Sequence, residues 1–212
     1  MDILLLSLYS LVAFINISSI QCERHIIRLM SKTCLMPTLA LFYISTSKIF
    51  CITIVLALFF SWCGDILLIK AKKLRLYTGI LCFLTAHILY VLMFIDLAAK
   101  FNILAFIFST LLILSIECFL MSKLHTLNNY KFPIIIYGIA IGLLVIFSLQ
   151  VFIWYRSIVS TLLVVGSISF FVSDSILIYF NTIKIMTKNA LTIIMLSYVI
   201  AQACIVVGYV NI

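Results

Sequence analysis

The sequence predicts an all-α, polytopic membrane protein with eight transmembrane helices, and three observations carry that prediction. Hydrophobic residues make up 66% of the chain and charged residues 9%, with a mean hydropathy of +1.36; a soluble domain is about half apolar and a quarter charged. The polar residues cluster in short breaks between apolar runs, most of them near the about 20 residues that cross a bilayer as a helix. The basic residues crowd into alternate breaks. No stretch suits a soluble domain or a linker, so residues 1–212 read as a single transmembrane domain.

The spans are placed at 3–20, 33–47, 50–69, 75–95, 101–122, 132–153, 156–180 and 190–210. The first follows Asp2 rather than a basic segment, and no small-x-small cleavage site succeeds it, so it reads as a retained helix, not a signal peptide. The second is short and carries Pro37 near its start, where a missing N–H costs nothing. The third holds Asp65 near its end, and the fourth His87 and Tyr90 near its middle. The fifth has Glu117 near its end, and the sixth Tyr137 in its early part. The seventh contains Asp174, and the eighth Tyr198 and Gln202 in one helical stripe.

Odd-numbered breaks carry Arg24, Arg28, Lys32, Lys70, Lys72, Lys73, Arg75, Lys123, Lys131, Lys184 and Lys188; even-numbered breaks carry only Lys48, Lys100 and Arg156. The positive-inside rule then makes the odd breaks cytoplasmic and leaves both termini outside the cytoplasm. Asp65, Glu117 and Asp174 fall near inner helix ends, with Lys32, Tyr137 and Tyr198 at similar depth, so a polar cavity open to the cytosol is expected. Gly64-Asp65-Ile66-Leu67-Leu68-Ile69 is echoed by Ser173-Asp174-Ser175-Ile176-Leu177-Ile178. The echo suggests two parallel four-helix halves. The net charge of +8 comes without a basic cluster interleaved with aromatics, so anionic lipid, not nucleic acid, is the expected partner. The absence of an Arg- and Ser-rich presequence fits a bacterial inner membrane.

Two of the six acidic residues, Asp65 and Asp174, lie inside apolar runs. A charge at the centre of a spanning helix costs roughly 3 kcal/mol, which makes each a candidate functional residue. Burial favours the protonated carboxyl and a nearby cation the ionised one, so two carboxyls on one cavity divide into acid and base. Such a pair is expected within roughly 10 Å, as in paired-carboxylate hydrolases. Glu117 is a further candidate, with solvent contact at a helix end as its plainer role. His25, His87 and His125 are scattered, which predicts no metal and no cofactor. The seven cysteines lack Cys-x-x-Cys spacing and read as buried, inert thiols. No phosphate-binding Gly-rich loop or Gly-x-Ser-x-Gly elbow occurs.

These residues, in this order, resemble the YhhN, or lysoplasmalogenase, family of membrane proteins along essentially the whole chain. The resemblance rests on Ser61-Trp62-Cys63-Gly64-Asp65-Ile66-Leu67-Leu68 and on Gly79 through Ala86-His87-Ile88-Leu89-Tyr90. It continues in Pro133 through Tyr137, Gly166 through Ser173-Asp174-Ser175, and Tyr198-Val199-Ile200-Ala201-Gln202. Lys32-Thr33 stands where the family has Lys-Pro, with Pro37 slightly later. The resemblance implies an eight-helix fold and hydrolysis of the vinyl ether bond of a lysoplasmalogen to a fatty aldehyde and glycerophospho-ethanolamine or -choline. Under it, one of Asp65 and Asp174 is the general acid and the other stabilises the cation and orients water. His87, Tyr90, Tyr137, Tyr198 and Gln202 position water and the glycerol oxygens, and Lys32 meets the phosphate.

Other classes stay open on sequence alone. A non-enzymatic carrier or receptor for a lipid or small amphiphile would also use intramembrane carboxylates. An intramembrane aspartyl protease fits poorly, because Trp62 and Ser173 stand where its motifs need glycine and tyrosine. In a purely structural membrane protein the aspartates would only join helices.

Overall fold

Long apolar runs with few glycines and prolines satisfy their own backbone polar groups as helices, the form a bilayer permits an open chain. The computed structural model describes residues 2–69, 73–98, 100–122, 131–183 and 186–212, and among these it contains eight α-helices and no strand. They are α1 (Asp2–Gln21), α2 (His25–Thr46), α3 (Ile52–Leu68), α4 (Lys73–Leu97), α5 (Ile103–Ser122), α6 (Lys131–Tyr155), α7 (Ile158–Ile183) and α8 (Lys188–Val210). Seven are long and apolar enough to cross a membrane; α3, at 17 residues, is shorter. Lys70, Lys72, Lys123, His125 and Lys184 lie outside the described residues, as do the side chains of Lys73 and Lys131.

The main departure from expectation is α2, which begins at His25 instead of residue 33. Arg28 and Lys32 lower the local hydropathy, but neither opposes helix formation. The α1–α2 connection is a tight turn in which Glu23 takes a left-handed backbone (φ 55°) and the Arg24 N–H donates to the Ser19 carbonyl at 2.9 Å. Asn16 of α1 then donates to the Arg28 carbonyl at 3.0 Å and to Ser31 Oγ at 2.8 Å, fastening the two helices.

The longer α2 moves Pro37 from a first turn to the helix interior. A proline there withholds the N–H that the carbonyl four residues back would accept. That carbonyl belongs to Thr33, and the indole Nε1 of Trp62 on α3 donates to it at 2.8 Å. The gap in α2 is therefore filled by α3. Trp62→Phe should lower stability by about 1–3 kcal/mol, the cost of a buried carbonyl left bare. In a Pro37→Ala background the restored N–H takes over, and the same change should cost clearly less. Thermal unfolding of the four proteins in detergent checks this double-mutant cycle.

The chain divides into two compact units, Met1–Tyr90 and Val91–Ile212, with the boundary inside α4 and not in the loop after it. In the first unit α3 meets α4 where Gly64 abuts the Phe83 ring; a Cβ on Gly64 would stand 2.7 Å from it. In the second, α7 and α8 approach at Gly166, where a Cβ would come within 3.0 Å of the Ala201 carbonyl and 2.7 Å of Ile205. Ser173 Oγ donates to the Ile194 carbonyl at 3.1 Å across the same pair. Ile113, Val145 and Ile146 form a core between α5 and α6, packed by Phe106, Leu143, Leu149 and Phe171. Gln150 of α6 closes the start of α5, accepting from the Asn102 N–H at 2.9 Å and donating to its carbonyl at 3.1 Å.

The cysteines depart from expectation too. All are free, with Cys22, Cys34 and Cys118 exposed and the other four partly so. A thiol is apolar enough to face acyl chains, so burial inside the bundle was not required of it.

Candidate functional site

In the first unit the site is built where α2 and α3 cross. Lys32 Nζ lies 3.0 Å from Asp65 Oδ1, with side-chain exposures of 13% and 2%, which makes this a buried ion pair. Lys32 sits two turns inside α2, not in the preceding loop as expected, and its ammonium is engaged by a carboxylate. The next residue, Thr33, is the one whose carbonyl takes the Trp62 indole, and Trp62 precedes Asp65 by one helical turn. One turn of each helix thus carries both a charge contact and an indole clamp. Gly64 beside Asp65 makes room for the Phe83 ring. His87 and Tyr90 follow Phe83 on one stripe of α4, and both are fully buried.

In the second unit the Tyr137 hydroxyl of α6 donates to Asp174 Oδ2 of α7 at 2.7 Å, and both residues are buried. The Phe170 ring, one turn before Asp174, meets Tyr198 of α8 edge-on, with centroids 5.8 Å apart. Tyr198 is a core residue, and Gln202 on the same stripe is fully buried. The same unit holds a cavity of about 130 Å³ between α5, α6 and α7, lined by Glu117, Gly138, Phe171, Ser175 and Tyr179 among others. Gly138 and Ser175 immediately follow Tyr137 and Asp174, so the cavity adjoins that hydrogen-bonded pair.

Each sequence-predicted aspartate therefore has a partner among the other predicted site residues, Lys32 for Asp65 and Tyr137 for Asp174, where Lys32 was expected at the phosphate and Tyr137 at water and the glycerol oxygens. His87, Tyr90, Tyr198 and Gln202 are buried, as polar side chains inside a membrane bundle must be. Trp62 and Pro37 escaped the sequence reading as a pair. The signal was a mid-helix proline, which always leaves a carbonyl seeking a donor. Glu117 was read as near solvent, yet its Oε1 is sealed against α6, 2.9 Å from where a Gly142 Cβ would lie. The Gly138-x-x-x-Gly142 spacing that admits it is visible in the sequence.

Chemically, the first site offers a carboxylate whose charge is balanced by an ammonium, and the second a carboxyl steadied by a phenol. Among the described residues no three His, Cys, Asp or Glu side chains gather closely enough to hold a metal ion. The chain matches no curated protein and no solved structure. The sequence profile of the YhhN family matches residues 27–209, a range that takes in both aspartates and all their partners named above. The chain is a member of the YhhN family.

Proposed function

We propose that this protein hydrolyses the vinyl ether bond of a lysoplasmalogen, releasing a fatty aldehyde and a glycerophospho-ethanolamine or -choline. Family membership is consistent with that reaction. The observation that carries the reading is a pair of buried aspartates held by other polar side chains, Asp65 beside the Lys32 ammonium and Asp174 accepting from the Tyr137 hydroxyl. A vinyl ether resists base and yields to acid. As a proton transfers to its outer alkenyl carbon, the C=C π pair becomes the new C–H bond and an oxygen lone pair closes onto the adjacent carbon, giving an oxocarbenium ion. Water adds to the carbon bearing oxygen and releases a proton. The resulting hemiacetal breaks its bond to the glycerol oxygen, giving aldehyde and alcohol, so the proton is returned and one water is consumed.

In this scheme Asp174 is the proton donor, with the Tyr137 hydroxyl fixing the carboxyl's orientation. Asp65, held against the Lys32 ammonium, supplies negative charge as the cation forms. Lys32 is a positioning residue. His87, Tyr90, Tyr198 and Gln202 hold water and the glycerol oxygens. The bias of basic residues toward alternate loops supports a membrane orientation with both termini outside the cytoplasm.

The test is aldehyde release from purified protein in detergent given a lysoplasmalogen. In D₂O the aldehyde should carry one deuterium on the carbon next to the carbonyl, because that carbon receives the catalytic proton. A lipid carrier would bind the substrate and release nothing. Aldehyde formed without deuterium would rule out carbon protonation.

A further inference from the structure

We propose that the cavity between α5, α6 and α7 receives the ammonium group of the lysophospholipid head, with Glu117 as its counter-ion; the inference deepens the proposed function and rests on it. Glu117 is a third acidic side chain inside an apolar run, and the pairing of the two aspartates does not involve it. Its Oε1 is buried without a hydrogen-bond partner. That oxygen is closed against α6 at Gly142, but Glu117 also lines the adjoining cavity, where a cation would offset the cost of the buried carboxylate.

The walls select the ligand. Leu120, Ile134, Ile135, Ile141, Phe171 and Ile178 are apolar, and Ser175 and Tyr179 join Glu117 as the residues with polar side chains. A divalent metal needs several oxygen ligands, which one carboxyl does not supply. An anion is repelled. A cation with an apolar surface suits this lining: the carboxylate balances its charge, the aliphatic side chains meet its methylenes or methyls, and Phe171 and Tyr179 place aromatic side chains in the wall. At about 130 Å³ the cavity is close in size to those that take a benzene-sized molecule, the scale of an alkylammonium group and not of a whole lipid. The position suits a head group as well. The cavity lies at the end of the unit where α5 and α7 finish and α6 begins, beside Tyr137 and Asp174.

The test uses saturated 1-O-alkyl lysophospholipids, which lack the vinyl ether and are not cleaved, with choline, ethanolamine or glycerol heads. Binding to the purified full chain in nanodiscs should be tighter for the two cationic heads than for glycerol. Glu117→Gln should weaken those two by about tenfold, in line with a partly desolvated charge contact, and leave the glycerol lipid unchanged. Tyr179→Leu, at an exposed wall where folding is not at stake, should give the same head-selective loss more mildly. Free choline or ethanolamine competing as well as the lipids would name a soluble amine as the source of the same cation. Equal loss for all three heads, or no loss in either variant, would overturn the proposal. Head-selective binding without aldehyde release would sink the hydrolase reading and leave this site standing. Aldehyde release without head selectivity would do the reverse.

Discussion

Asp174→Asn is expected to fold and to lose aldehyde release by about 10²–10⁴-fold, the range for removing a positioned general acid. Asparagine has the shape of aspartate, and its carbonyl can still accept the Tyr137 hydroxyl that now reaches Asp174 at 2.7 Å. What it lacks is a proton to deliver to carbon. Binding of an uncleavable ether analogue should survive the change, which separates chemistry from recognition. Tyr137→Phe should fall between the two proteins, since it loosens the carboxyl without removing it. A folded Asp174→Asn protein with a near-normal rate would falsify the acid assignment, and the aspartate would then be an interhelical strut.

The eight helices were legible because a bilayer demands long apolar runs, and the structure moves most of their ends by only a few residues. The start of α2 was not legible. Hydropathy marks where lipid contact ends, whereas the helix continues through Arg28 and Lys32 because nothing in that segment breaks it. That one shift hid two features at once: Lys32 became a helix residue able to reach Asp65, and Pro37 became an interior proline. The pairing of aspartates with Lys32 and Tyr137 was foreshadowed by residue type, but not by sequence distance. Thirty-seven residues separate Tyr137 from Asp174, and only packing of α6 on α7 brings them together. Glu117 shows the opposite case. The glycine spacing that accepts it was present in the sequence, but a helix-end carboxylate looks the same whether it faces water or a neighbouring helix.

Lys32→Met should destabilise the protein by about 3–5 kcal/mol, the cost of removing the cation from a buried ion pair. The 2% exposure of the Asp65 side chain puts this pair well away from the surface regime, where such contacts are worth little. Methionine keeps most of the lysine's aliphatic volume, so packing loss is minor and the effect isolates the charge. Asp65→Asn should destabilise comparably by leaving the ammonium alone. The double variant Lys32→Met/Asp65→Asn should recover most of the lost stability, because a neutral pair strands no charge. Its melting temperature in detergent should therefore lie near that of the wild type, while its aldehyde release stays as low as that of Asp65→Asn. That combination tells the two roles of Asp65 apart: stability follows the balance of charge between α2 and α3, and turnover follows the carboxylate itself. If the restored double variant also regained activity, Asp65 would be a fold residue alone, and the search for the group that stabilises the oxocarbenium ion would move to the remaining buried polar residues.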